Sequence, residues 1–571
     1  MEKNISTPAS ADTGLPPLEP NITYGFNQDL YGNQLTETAK SAAEAEQHLP
    51  PLDAIKAYPM AIFWSLVVSM CVIMEGYDTN LVGNFWAYPS FVKKYGQYYP
   101  GVGYQVSAPW QAGYGNATGV GSFFGVLLNG YLVSMFGHKR VLICSLFAMT
   151  SFIFILFFSP NIRVLTVGGF LCGLPWGVFA SAAPAYASEV LPLSLRVYFT
   201  SYTNMCFIIG QLISAGVLEG LVSLDSEWGY RIPYALQWVW PCFLIPLMFF
   251  APESPWHLVR IGKLEEAERT LRRLQSKKAT IDPKLTLATI VHTNKLEEEL
   301  SVGTSYRDCF RGFERRRTEI ACMAFVGQIT SGICFAYNQT YFFSQVGLTT
   351  QQTYKLAIGG NSIALVGTFI NWFAINPYVG RRTSYLWGMS SMTAILFIVG
   401  ILNIWTSNPH IGMSQAVLTL VWTFIFQLTV GQLGWAIPAE IGSTRLRQKT
   451  VCLARNANYL ASFLCVMEPY FLNPTEWNLK GYTGFFWGGT ALLTFIWAYF
   501  RLPETKGRPF NEIDILFAKG VPARKFATYK VDAYDMIQNA ELAAHAGHHH
   551  RDHNGEKTEQ VFVESVNRPS A

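Results

Sequence analysis

The sequence predicts an all-α membrane protein of twelve spanning helices arranged as two pseudo-symmetric six-helix halves. Three observations carry this prediction. Apolar stretches of about 20 residues, the length that crosses a hydrocarbon core, recur along nearly the whole chain. Half of the 571 residues are hydrophobic and only 14% are charged, whereas about a quarter is usual for a soluble protein. Landmarks of the first half return in the second at a nearly constant offset. The chain is also rich in Trp, Tyr and Phe, which suit membrane interfaces.

Taken in order, residues 1–57 read as a cytoplasmic N-terminal tail. They are polar and lack the apolar core of a cleaved signal peptide, so the first span directs insertion. The N-terminal half, 58–251, holds spans near 60–84, 112–135, 141–158, 163–187, 198–221 and 234–250. Residues 252–318 form a charged cytoplasmic linker whose first part reads as an amphipathic helix. It contains Glu265-Glu266-Ala267-Glu268-Arg269 and Arg315-Arg316-Arg317. The C-terminal half, 319–502, holds spans near 319–344, 354–378, 384–405, 411–437, 448–473 and 481–500. Residues 503–571 are a cytoplasmic tail. Its His545, His548, His549, His550 and His553 read as a solvated cluster, not a metal site.

Basic turns at Gly137-His138-Lys139-Arg140, Arg196, the linker, Gly380-Arg381-Arg382 and Arg445-Leu446-Arg447 fall on one side, which the positive-inside rule makes cytoplasmic. The loop from Trp86 to Trp110 then faces outward. Asn-x-Thr matches at Asn21, Asn116 and Asn338 fall in the cytoplasmic tail or in or beside spans and are not read as glycan sites. The ten Cys, among them Cys71, Cys144, Cys172, Cys206 and Cys334, lie mostly isolated in apolar segments. They read as small core hydrophobes. The net charge of +4 is spread over loops and gives no case for nucleic-acid binding.

The repeat is specific. Glu189 precedes Arg196 as Glu440 precedes Arg447, and Pro252-Glu253-Ser254 returns as Pro503-Glu504-Thr505, both at an offset of 251 (189 to 440, 252 to 503). Duplicated halves of this kind are the pattern of transporters that bind at the midplane. Glu75 and Asp78 stand inside the first span, in Met74-Glu75-Gly76-Tyr77-Asp78-Thr79-Asn80. A carboxyl in hydrocarbon is a functional feature by default. At a spacing of three the two share a helix face, and mutual repulsion leaves at least one protonated near neutral pH. The offset places no acid opposite them: their counterparts are Val326 and Ile329, beside Gln328. Proton chemistry is therefore expected in the first half and much of the ligand contact in the second.

Other candidates follow from polarity inside spans. Asn204 and Gln211 lie on one face of the fifth helix. Gln328, Asn338, Gln339, Thr340 and Tyr341 stud the seventh. Trp435 follows Gly431-Gln432-Leu433-Gly434 in the tenth. Arg455 lies one turn before Asn458 in the eleventh and is expected to pair with Glu75 or Asp78 across a cleft. Gly121 with Gly125, and Gly173 with Gly177, make close-packing faces. No nucleophile–base pair or metal cluster argues for an enzyme or a cofactor.

These landmarks resemble the sugar porter family of the major facilitator superfamily. The matching elements are Gly76-Tyr77-Asp78-Thr79, Glu189 to Arg196, Pro252-Glu253-Ser254-Pro255, Glu440 to Arg447 and Pro503-Glu504-Thr505-Lys506-Gly507. The chain is most similar to the fungal maltose permease (α-glucoside:proton symporter) group. That similarity rests on Ala187-Ser188-Glu189, Ala235-Leu236-Gln237-Trp238, Leu453-Ala454-Arg455-Asn456-Ala457, Gly484-Phe485-Phe486-Trp487-Gly488-Gly489 and Gly520-Val521-Pro522-Ala523-Arg524-Lys525-Phe526.

The resemblance implies a major facilitator fold and proton-coupled uptake of α-glucosides such as maltose, by a monomer in the plasma membrane with both termini cytoplasmic. It implies Asp78 as the proton site, with Glu75 beside it. Asn204, Gln211, Gln328, Asn338, Tyr341, Trp435 and Asn458 become sugar-facing candidates. Glu189, Arg196, Glu253, Glu440, Arg447, Arg455 and Glu504 become gating charges. Departures occur at Ser134, Met135 and Asn376, where the family commonly carries charge, at Gly327-Gln328 for a Gln-Gln pair, and at Ser122. The alternatives are an uncoupled hexose or disaccharide facilitator, against which Glu75 argues, and a non-transporting sugar sensor, against which the short tail argues.

Overall fold

Inside a bilayer every backbone N–H and C=O needs an internal partner, so long apolar segments fold as helices. The computed structural model describes residues 51–529 apart from 277–281, 302–305, 377, 406–408, 443–445, 507 and 509. The first half contains Pro59–Asn84, Ala108–Phe136, His138–Phe157, Ile162–Val190, Leu193–Leu221 and a sixth span made of Trp228–Leu236 and Val239–Phe250. The seventh span runs from Glu314–Thr330 through Ile333–Tyr337 to Gln339–Gln345. Thr350–Ile370, Arg381–Leu402 and the pair Pro409–Leu428 and Val430–Ile441 follow. Among the described residues ten segments, the first through tenth spans, have the length and hydropathy to cross a membrane. The eleventh, Arg447–Leu472, is interrupted at Phe463–Val466 and carries Arg455 and Glu468; the twelfth is Thr483–Arg501. The fold is thus the expected twelve-helix major facilitator architecture.

Besides the eleventh, the fourth, seventh and tenth spans are irregular. The fourth carries Pro175 and Pro184. The seventh breaks at Gly332, whose φ of 98° suits glycine. The tenth breaks at Thr429. Such backbone is tolerated at membrane depth where it is buried in protein or lines a cavity.

The small-residue faces meet as their spacing predicts. A Cβ on Gly121 would lie 2.9 Å from the Gly173 Cα, and one on Gly125 would lie 3.2 Å from the Gly177 Cα. The second and fourth spans therefore touch through their backbones. Gly125→Leu is expected to force them apart and destabilise the half by about 1–3 kcal/mol or more. A lowered thermal midpoint of the purified protein in detergent checks this; an unchanged midpoint contradicts it.

Between the halves, Pro255–Arg260, Leu264–Leu274 and Pro283–Ser301 form three helices. They share a small core that includes Leu258, Ala267, Leu271 and Ile290. Helix therefore extends beyond the linker's first part. At the opposite end, the loop after the first span holds the helix Pro89–Tyr95 and a hairpin pairing Gln97–Tyr99 with Gly103–Gln105.

The halves are clasped near that loop. The Tyr354 hydroxyl donates to the Asn84 carbonyl at 2.8 Å, and the Asn473 amide to the Val106 carbonyl at 3.0 Å. The Tyr341 hydroxyl donates to Gln105 Oε1 at 3.2 Å, and the Asn361 amide to the Gln211 carbonyl at 3.2 Å.

Candidate functional site

A cavity of about 270 Å³ lies between the halves, beneath this clasp. The first, fourth and fifth spans supply one wall, and the seventh, tenth and eleventh the other. Six sequence-predicted residues line it together with Glu75: Asn204, Gln211, Gln328, Trp435, Arg455 and Asn458. Two are pinned to backbone. Gln328 Nε2 donates to the Gly431 carbonyl at 2.9 Å, and Asn458 Nδ2 to the Phe325 carbonyl at 2.8 Å. Each holds its amide still and leaves its oxygen as an acceptor.

Other polar atoms of the lining, from both walls, have no partner among the described residues: Glu75 Oε2, Asn204 Nδ2, Thr203 Oγ1 and Gln427 Oε1. A buried polar atom without a partner is costly, so a set converging on one cavity marks a place for a polar ligand or water. Donors and acceptors are mixed, as a polyhydroxylated molecule requires. The apolar complement is the Trp435 ring, packed edge-on against Phe325 at 5.3 Å. The Arg455 guanidinium lies 4.4 Å from the Trp435 ring centroid and 5.0 Å from that of Tyr459. This aromatic cage holds a cation inside the cavity by cation–π attraction. Glu75 is the acid on the facing wall, opposite Arg455, and the expected close ion pair between the two does not form among the described residues.

Asp78 is placed differently. It is 1% exposed and does not line the cavity. Both its oxygens lack a hydrogen-bond partner among the described residues. Among the described residues around it are Glu75, Trp176, Cys172, Tyr114 and Tyr234. The two acids therefore face different environments one helical turn apart.

Asn338 and Tyr341 stand outside the cavity. Beyond the Gly332 break, Asn338 folds its amide back onto the Cys334 carbonyl at 3.2 Å, and Tyr341 joins the clasp. The sequence reading also missed Thr203 and Gln427, though a Gln in the tenth apolar run was a legible signal. It missed Glu468, a fully buried acid of the eleventh span that accepts from the Trp487 indole. Cys334 and Cys465, read as isolated hydrophobes, form a disulfide between the seventh and eleventh spans in the cavity wall.

The charges at the basic turns close within each half. Glu189 meets His138 Nε2 at 3.2 Å and Arg260 at 3.6 Å, and accepts the Ser254 hydroxyl. Glu253 accepts the Lys139 N–H at 3.3 Å. Glu440 pairs with Arg381 at 3.1 Å, and Glu504 accepts the Arg381 N–H at 2.7 Å. The side chains of Arg196 and Arg447 lie outside the described residues.

Comparison with known proteins gives a consistent picture. A sequence profile described as "Sugar (and other) transporter" matches residues 64–517. The maltose permease MAL31 of Saccharomyces cerevisiae is 40% identical over 517 residues, covering 89% of this chain and 84% of that protein. The general alpha-glucoside permease of the same species is 38% identical over 506 residues, covering 87% and 82%. Among solved structures, the inward-open conformation of the xylose transporter XylE from E. coli aligns with a TM-score of 0.65. It is 21% identical and covers 80% of this chain and 99% of that one, a likeness of fold.

Proposed function

The chain belongs to the sugar (and other) transporter family, and on that premise we propose that it carries α-glucosides such as maltose into the cell together with protons. The cavity between the halves carries the reading: unpartnered Glu75, Asn204 and Thr203 atoms stand on the wall facing Trp435, and Gln427 lies on the same span as Trp435. A glucoside offers hydroxyls to the first set and a C–H face to the second. The permeases named above support the choice of sugar.

Glu75 and Asp78 are the proton sites in this reading. Glu75 in its charged form faces Arg455 and holds the two halves by attraction across the cavity. Taking up a proton removes that attraction and lets the halves rock, with sugar bound at the midplane. Asn204, Gln211, Gln328, Trp435 and Asn458 hold the sugar, and Gln427 joins them. The clasp lies on the outer side, and the charge pairs of Glu189, Glu253, Glu440 and Glu504 lie on the cytoplasmic side with both termini. The protein works as a monomer in the plasma membrane.

Expression in cells lacking their own glucoside carriers tests this. Labelled maltose is expected to enter faster at acidic than at neutral external pH, with alkalinisation of the medium on sugar addition. Uptake without alkalinisation selects the facilitator instead. Absence of uptake for every glucoside in a panel overturns the proposal.

A further inference from the structure

Each half ties its basic turn in a similar way, but the two ties differ at the residue after the glycine, and in the first half Arg260 also stands 3.6 Å from Glu189. In the second half, Glu504 accepts the N–H groups of Arg381 and Arg382 at 2.7 and 3.1 Å. Glu440 takes the Arg381 guanidinium through Nε and Nη2, both at 3.1 Å, and the Thr505 hydroxyl at 2.6 Å. The next side chain, Arg382, donates to the Tyr499 carbonyl at the end of the twelfth span at 2.7 Å.

In the first half, Glu253 accepts the Lys139 N–H, Glu189 accepts the Ser254 hydroxyl, and Lys139 donates to the Phe249 carbonyl at the end of the sixth span at 2.7 Å. Both turns begin at a glycine, Gly137 and Gly380. The residue after it is Arg381 in one half and His138 in the other. His138 presents Nε2 to Glu189 at 3.2 Å, is 3% exposed, and has no partner for Nδ1 among the described residues.

We propose that His138 is the positioning residue of the first-half latch, acting through Glu189, and that its imidazole makes this latch respond to cytoplasmic pH. Arg381 keeps the corresponding latch closed at every physiological pH. The groups around His138 fit the assignment. The fourth span brings Glu189 and Tyr186; the linker brings Ser254, Glu253, His257 and Arg260; Lys139 follows on its own helix, and Arg273 stands beyond Glu253. Burial lowers the pKa of His257.

The sign follows from the charges. An imidazolium pairs with the Glu189 carboxylate as Arg381 does with Glu440. A neutral imidazole keeps a hydrogen bond through Nε2 but loses the ionic attraction. The latch is therefore tight while the imidazole carries its second proton and looser once that proton is lost. It joins the ends of the third, fourth and sixth spans, so the half rocks as one body while it is tight. Import of protons with sugar tightens it, and an alkaline cytoplasm slows the carrier.

The inference rests on the transport reading above, and its test separates the two. Right-side-out vesicles carrying the full chain are filled at inner pH between ~6 and ~7.5, with outer pH held constant, and exchange of labelled maltose is followed. Native exchange relative to that of His138→Arg is expected to fall about fivefold across this range. The reciprocal variant Arg381→His is expected to add a second dependence on inner pH. Should His138→Arg not reach the membrane, this variant carries the test alone. Native and His138→Arg vesicles that exchange maltose with parallel pH profiles overturn the latch alone, as does an Arg381→His variant that follows the native profile. Native vesicles that exchange no glucoside overturn both readings.

Discussion

Glu75→Gln is expected to abolish concentrative uptake while leaving exchange of maltose down its own gradient. The substitution preserves size and hydrogen-bonding reach but removes the exchangeable proton and the charge. Glu75 is 8% exposed, lines the cavity with one oxygen unpartnered, and is the acid that faces Arg455. A one-proton symporter accumulates sugar about tenfold per pH unit of gradient, because each such unit is worth about 1.4 kcal/mol. In vesicles with an imposed gradient the native protein is expected to reach such a ratio, and the variant a ratio near one. Accumulation that survives in Glu75→Gln assigns the proton to Asp78 alone. Arg455 adds a diagnostic: in the variant it loses its counter-charge, as it does when Glu75 is protonated, so coupling is lost while exchange persists. An Arg455→Leu change made on top of Glu75→Gln is expected to cost little more, since the interaction has already been removed.

Trp435→Ala is expected to raise the half-saturation concentration for maltose by about thirty- to a hundredfold, or roughly 2–3 kcal/mol. Trp435 is 37% exposed and lines the cavity, one edge fixed by Phe325 and the guanidinium of Arg455 held against its ring. Alanine removes the stacking face and releases Arg455 from a partly desolvated cation–π contact, two losses that each lie near 1 kcal/mol or above. Trp435→Phe retains a face and is expected to lose less. Initial rates of labelled maltose uptake over a range of concentrations measure the effect. An unchanged half-saturation with a lowered maximal rate would show that Trp435 serves packing and not sugar contact.

How legible these sites were depended on how local their causes are. Spans were legible because the bilayer sets both their length and their composition. Asn204, Gln211, Gln328 and Asn458 were legible because a polar amide inside an apolar helix is conspicuous. Asn338 and Tyr341 carried the same signal, but Gly332 re-aims the helix between them and Gln328, and that turn of the backbone has no expression in polarity. The break in the tenth span falls at Thr429, before the glycines that mark it. Cys334 and Cys465 stand 131 residues apart, with no spacing that foretells their meeting. Glu468 is a lone acid in the eleventh span, but the repeat offset carries Glu75 and Asp78 onto the seventh span, so nothing in the repeat points to it. His138 was legible as part of a basic turn. Its meaning required seeing Arg381 in the same place in the other half.

In the orientation proposed above the clasp faces outward, and this has a consequence for a carrier driven by acid outside the cell. Its donors are two tyrosine hydroxyls and two side-chain amides. Its acceptors are three backbone carbonyls and one glutamine oxygen. None of these groups changes charge between weak acid and neutrality, and none attracts counter-ions as an ion pair does. The same medium that drives transport can therefore swing widely in acidity and salt without pulling on the seal that shuts the carrier from outside. Sensitivity to conditions is left to the charged pairs at the opposite end, where the cell controls the composition of the water.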